Sequence, residues 1–246
     1  MANSGLILGH IGALFRYPLK SVAGEPLETA TLGWHGIEGD RRLAFRRLDN
    51  RSGMPWLTAS RLPELLLYTP LWHDAHGEIP THVRTPDGTA LPVFGEELAD
   101  DVEQRHGAPV QMMQLRHGIF DETPVSVIAV DTIHEISLLA GVNPDVRRFR
   151  PNILVRLLKP GAFQEDAWLG GTISFGEGGN APAIAVTMRD ERCAMLNIDP
   201  DTATLNPEVM KAAVRANQNN AGIYATVTCP GRLAIGQPIY LRSAII

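Results

Sequence analysis

A cysteine set directly behind an arginine, Arg192-Cys193 in the run MRDERCAMLNIDPDT, is the sharpest chemical signal in the chain. An adjacent guanidinium and a polar strand entry favour the thiolate, the form that binds soft metals and carries out nucleophilic or persulfide chemistry. The alternative is an inert buried thiol, the usual fate of a lone cysteine. Cys229, in the turn VTCPGRL, is read that way. Two basic segments could serve such a thiol. In Arg41 to Arg47, alternation puts Arg41, Leu43, Phe45 and Arg47 on one face, so Arg41 sits at a strand mouth beside Asp40. It is either half of a structural ion pair or a cation turned toward a ligand. In Arg148-Phe149-Arg150-Pro151-Asn152-Ile153, alternation separates Arg148, Arg150 and Asn152 from apolar Phe149 and Ile153. That edge could line a phosphate pocket, since an arginine fork matches phosphate oxygens, or it could simply face water.

Other candidates carry less. His73, His76 and His82 lack a rigid helix and a clear further ligand for zinc. Gly176, Gly178 and Gly179 lack the strand-then-helix setting of a dinucleotide loop. Asp199 and Asp201 lack the glycine and glutamate of a calcium loop. No nucleophile elbow or Walker loop is present.

The elements that must position these residues are mostly short strands, because 23 glycines and 18 prolines punctuate the chain. Strands are expected at 11–17, 27–32, 42–48, 65–72, 82–85 and 110–115, then at 152–158, 172–175, 183–189, 193–198, 223–228 and 239–242. Helices are expected at 96–106, closed by Arg105-His106-Gly107, at 131–140 before Gly141, and at 207–216 behind Asn206 and Pro207. Charge, glycine and proline coincide at 116–124, which suggests a joint there. The expected architecture is mainly β with a few helices, in two packed barrel-like units.

The chain has 246 residues, 44% hydrophobic and 20% charged, enough for one large or two ordinary domains. Its net charge of -5 argues against general nucleic-acid binding but leaves room for a local anion pocket. Two cysteines fit a reducing compartment. The first apolar run is too short for a membrane span and lacks the basic start of a signal peptide. The expectation is a cytoplasmic protein with no membrane partner, in which the Asn50-Arg51-Ser52 sequon has no role.

Taken in order, the motifs resemble the MOSC family, named for the C-terminal domain of molybdenum cofactor sulfurase. The resemblance runs through Tyr17-Pro18-Leu19-Lys20-Ser21, Gly36 to Arg42 (GIEGDRR), Thr58 to Pro63 (TASRLP), Arg148 to Ile153 (RFRPNI), Glu165-Asp166-Ala167-Trp168, and Arg192-Cys193 with Asp199-Pro200-Asp201-Thr202. Gly222-Ile223-Tyr224 and Pro230 to Gly236 (PGRLAIG) complete it. The resemblance implies a MOSC N-terminal β-barrel over 1–118, a MOSC domain over 119–246, and molybdenum cofactor between them. It implies Cys193 as the metal ligand and catalytic thiolate. Lys20, Ser21, Arg41, Thr132, Arg150, Asn152 and Arg192 would hold the pterin and its phosphate. Thr132 stands where a serine is usual, and Val130-Asp131-Thr132 departs from the family's small run. By similarity to members akin to the amidoxime-reducing component, the implied activity is reduction of N-hydroxylated or N-oxygenated small molecules. With the sequence ending at Ile246, a ferredoxin-like domain is not expected, so electrons would come from a separate protein. A carrier of molybdenum cofactor or persulfide sulfur on Cys193 would need the same pocket, as would a binder of some other phosphate ligand.

Overall fold

A computed structural model describes residues 5–50, 53–73 and 77–242. Parts of two readings, His76 and the Arg51-Ser52 of the sequon, lie outside the described residues. The first half opens on a long strand, β1 (Leu6–Arg16), then β2 (Glu25–Leu27), β3 (Thr29–Gly33), β4 (Gly36–Ile37) and β5 (Leu43–Arg47). After a 3₁₀ turn at Pro63–Leu67 come β6 (Thr69–Leu71), β7 (His82–Arg84) and β8 (Ala90–Pro92), then helix α1 (Glu96–His106) and β9 (Val110–Gln114). The second half runs β10 (Val125–Ala129), α2 (Val130–Ala140), β11 (Ile153–Leu157), β12 (Thr172–Ser174) and β13 (Ala183–Glu191). It ends with α3 (Pro207–Asn217), β14 (Asn220–Cys229), β15 (Gly231–Ala234) and β16 (Pro238–Arg242).

The protein is mainly β, and seven strands close a barrel in the order β11-β10-β14-β13-β12-β16-β1, with β1 pairing back onto β11. Every pairing around the ring is antiparallel except β10 with β11, which are parallel and joined through α2. A parallel pair requires such a crossover. Ile11, Leu14, Val127, Ile153, Phe175 and Ile223 are among the side chains that fill the barrel. Closure depends on close backbone approach: a Cβ built on Gly9 would fall 2.0 Å from the Arg156 carbonyl oxygen. Only glycine lets β1 lie against β11 there.

Three small sheets, β15-β3-β4, β5-β9 and β6-β7-β8, flank the barrel. The first packs onto the barrel core through Ala30, Leu32, Ile37 and Leu233, and a second core of Leu43, Phe45, Leu57, Leu65, Tyr68 and Leu98 lies under the other two. This second core draws mostly on the first half but also takes in Ile198, while β1 and β2 join the barrel sheet and β3 pairs with β15, so the packing runs across the expected joint.

The helix boundaries follow local signals. In α1, Glu96 and Glu97 occupy the first turn, Arg105 and His106 the last, and Gly107 caps it in the left-handed region. Asn206 caps α3 by accepting from the Glu208 N–H at 3.1 Å. The structure departs from the expected elements in several places, and strands β4, β8 and β15 have no counterpart among them. The expected strand 65–72 is a 3₁₀ turn followed by the short β6, because Pro63 opens a turn. The expected strand 193–198 is a 3₁₀ turn at Ala194–Asn197, where the Asn197 side chain accepts from Met210 N–H at 2.9 Å and ties the segment to α3. Strand β10 goes unmarked in the sequence because VSVIA is buried on both faces and shows no alternation. Among the described residues, no helix is long and apolar enough to cross a membrane.

Candidate functional site

Where the turns after β1 and before β5 meet the ends of β10 and β13, the chain encloses a cavity of about 620 Å³. Lys20, Ser21, Arg41, Arg150, Arg192 and Cys193 all line it, although up to 173 sequence positions separate them. Three of these residues hold backbone conformations that side chains disfavour: Ser21 (φ 64°), Arg41 (φ 49°) and Arg150 (φ 52°). Each such residue costs of order 1–3 kcal/mol and persists only where its surroundings enforce it. Here the Arg41 N–H donates to the Tyr17 carbonyl at 2.7 Å and the Arg150 N–H to that of Val146 at 3.2 Å.

Most of the cations are already matched. Arg41 pairs through Nη1 with Asp40, whose other oxygen accepts from the Tyr17 N–H at 2.7 Å, and its Nη2 donates to the Arg150 carbonyl at 3.2 Å. Burial opposes the charge on Arg41, but Asp40 outweighs it and holds the guanidinium above the ordinary arginine range. Arg192 donates to Asp190 and, at 2.6 Å, to the Phe149 carbonyl, while Ser126 Oγ donates to the same Asp190 oxygen at 3.1 Å. Burial raises the Asp190 carboxyl, with Arg192 pulling the other way. Lys20 Nζ reaches Asp121 at 2.7 Å, and burial still leaves the ammonium below the usual lysine range. Arg148 is held by Asp199 at 2.7 Å.

Arg150 is different. Its Nη1 donates to the Val22 carbonyl at 2.8 Å and its guanidinium lies 4.3 Å from the centre of the Tyr17 ring. Among the described residues no carboxylate pairs with it, and Nη2 is buried without a partner. Burial, reinforced by neighbouring Arg41, pushes it down to about 10. Arg41, Arg150 and Arg192 all act on Tyr17, whose hydroxyl burial pushes upward. The cavity thus holds a cluster of guanidiniums with positive charge left over, the donor set an anion such as a phosphate requires.

Cys193 follows β13 at the head of the 3₁₀ turn and is exposed on the cavity wall. A second chamber of about 530 Å³ continues past it, sharing Lys20, Ser21, Asp121, Cys193 and Met195 and adding Arg47, Trp56 and Arg61. Cys229 is elsewhere, partly buried with Sγ 3.7 Å from the Asn180 carbonyl.

Two candidates are not on the wall. Thr132 is fully buried in the first turn of α2, where its hydroxyl accepts from the Phe163 N–H at 2.8 Å and sits by Glu165. It fastens the loop before the 3₁₀ turn at Gln164–Trp168. Asn152 is buried beneath the cavity, accepting from the Ser126 N–H at 3.1 Å and from Arg41 at 3.5 Å, so it braces a cation rather than facing a ligand. The alternation expected over Arg148, Arg150 and Asn152 also fails. Arg148 ends a 3₁₀ turn, Arg150 is left-handed, and β11 begins only at Ile153. Sequence reasoning missed Asp190, Ser126, Asp121 and Tyr224. Asp190 had a signal, since it stands two positions before Arg192 near the end of a strand. Glu165 and Trp168 are structural: Glu165 accepts from the Ala129 N–H at 3.3 Å and Trp168 is in the barrel core. His73 and His82 stack at 4.3 Å, and among the described residues no three His, Cys, Asp or Glu side chains converge as a metal cage.

No curated protein matches the chain. Among solved structures, the YuaD protein from Bacillus subtilis is similar over 96% of both chains, with 16% identity and a TM-score of 0.52, a likeness of fold. YiiM from Geobacillus stearothermophilus aligns with 49% of this chain and 54% of its own, at 18% identity and a TM-score of 0.38. The YiiM protein from Escherichia coli gives 50%, 55%, 17% and 0.36 for the same measures. The model of the MOSC domain matches residues 102–240, which takes in β10 to β15, Arg150, Arg192 and Cys193. With more than half of its length matched, the chain belongs to the MOSC domain family, whose members are associated with the molybdenum cofactor.

Proposed function

We propose that the cavity binds the molybdenum cofactor and that the loaded protein is an oxidoreductase, reducing N-hydroxylated or N-oxygenated small molecules with electrons from a separate redox protein. The observation that carries this reading is one exposed thiol on the wall of a cavity whose Arg150 has no acidic partner among the described residues. The donor set fits the group. A soft metal held by an organic dithiolene needs few protein ligands, and one thiolate suffices. The terminal phosphate suits clustered guanidiniums. When bound, the cofactor supplies two-electron oxygen-atom transfer, chemistry that no side chain here can perform alone.

The chain's own residues bind and orient. Arg150 and Arg192 would hold the phosphate, and Asp190 with Ser126 fixes the Arg192 fork. Arg41 is locked by Asp40 and the Arg150 carbonyl, so it keeps the cradle rigid as well as charged. Lys20 Nζ, lowered by burial and hydrogen-bonded to Asp121, is a proton-bearing group common to both chambers.

The test is molybdenum and pterin content per chain after expression in a cofactor-producing host, for wild type, Cys193→Ala and Arg150→Gln. The expected result is near-stoichiometric loading in wild type, an altered or lost metal signal in Cys193→Ala, and about 10- to 100-fold weaker retention in Arg150→Gln, the loss of a charged hydrogen bond. Folded wild type with neither metal nor pterin overturns the reading. Cyanide-labile sulfur on Cys193 without molybdenum would instead make the protein a sulfur carrier.

A further inference from the structure

The second chamber is chemically unlike the first. Its lining carries Lys20, Arg47 and Arg61 against a single carboxylate, Asp121, which Lys20 already holds at 2.7 Å. That leaves two cations uncompensated in a chain whose net charge is -5. Arg47 is the telling one. It stands on the core face of β5, in register with Leu43 and Phe45, and is 8% exposed. Its Nη2 donates to the Met54 carbonyl at 3.4 Å, its Nε is buried without a partner, and among the described residues no carboxylate pairs with it. A buried guanidinium without an anion is costly, and an anion entering the chamber would offset that cost. Arg61 is exposed at the rim, and half-buried Trp56 lines the same chamber next to Met54 and Met195.

We infer that this chamber takes a planar organic anion, an aromatic carboxylate, with its charge on Arg47 and Arg61 and its ring against Trp56. Because Cys193, Lys20 and Met195 belong to both linings, a molecule seated there presents its other end to the thiol. On the cofactor reading above, on which this substrate role rests, the reducible N–O group lies at that end. The substrates are then acidic aromatic compounds bearing an N-hydroxyl group, selected by Arg47 and Arg61 before any chemistry.

The experiment is calorimetric titration of the loaded protein with benzoate and with benzamide, which has a similar shape and no charge. Benzoate is expected to bind at least about tenfold more tightly, and to lose about tenfold in Arg61→Gln, a surface position on which the fold does not depend. Arg47→Gln should lose as much or more. Quenching of tryptophan fluorescence by benzoate should disappear in Trp56→Phe. No benzoate binding, equal binding of the two compounds, or full affinity in Arg61→Gln overturns the inference. Metal and pterin content of the same samples separates the two readings. Failure of benzoate to bind a loaded protein removes the chamber's role alone, and benzoate bound to a protein without metal removes the cofactor reading alone.

Discussion

Replacing Asp40 with asparagine tests whether the cradle is held together by charge. The carboxylate is 1% exposed, pairs with Arg41, and accepts the Tyr17 N–H at 2.7 Å. The carboxamide keeps the second interaction and removes the first, so a guanidinium with only 14% of its side chain exposed loses its counter-ion. Breaking a buried ion pair from one side costs about 3–5 kcal/mol. The retained acceptor, together with the Arg150 carbonyl on Arg41 Nη2, puts Asp40→Asn near the lower end, about 3 kcal/mol. For a chain of this size that corresponds to roughly 6–12 °C in Tm. The assay is thermal unfolding followed by circular dichroism in low-salt, phosphate-free buffer, repeated with millimolar inorganic phosphate. Phosphate supplies the missing anion, so the deficit of the variant should shrink when it is added. A Tm change below about 2 °C, or a larger deficit in phosphate, would refute the argument that Asp40 compensates Arg41.

Further outcomes follow from other sites. Arg150→Met should raise the stability of cofactor-free protein by about 1–3 kcal/mol while lowering cofactor content, because it removes an unpaired buried charge; urea unfolding and metal analysis measure both. Gly9→Ala should cost about 3 kcal/mol in urea unfolding, since the new Cβ would fall 2.0 Å from the Arg156 carbonyl oxygen and push β1 off β11. Glu165 is fully buried, and burial raises its carboxyl above the ordinary glutamate range. The folded state therefore binds a proton the unfolded state has already released, and this stabilisation is lost as pH rises from the ordinary glutamate range through the raised value. Glu165→Gln should flatten that fall in the urea midpoint; an unchanged pH profile would count against it. Asp190 shifts in the same direction and keeps part of the slope in the variant.

The thiol and three of its guanidiniums were legible because each stands in a short motif: Cys193 behind Arg192, Arg41 behind Asp40, Arg150 before Pro151. Helix α1 was legible for a similar reason, its charges and capping glycine being local. Facing was not legible. Thr132 and Asn152 have the right chemistry at the expected positions, yet both turn inward to satisfy backbone groups of Phe163 and Ser126. Asp121 depends on a partner 101 positions away, and the second chamber on bringing Arg47 and Arg61 beside Cys193. No local pattern encodes such meetings, since they arise from how two cores pack.

The ring of strands has a consequence for how the chain can be cut and made. Strand β1 is synthesised first, but its partners around the ring, β11 and β16, emerge well over a hundred residues later. Until β16 arrives, sheet edges stand open to any passing chain, and pairing between copies competes with closure. A fragment trimmed to residues 102–240 would remain in that condition permanently. It lacks β1 and the end of β16, so it would present raw edges on both sides of the gap and should aggregate more readily than a chain that carries both strands.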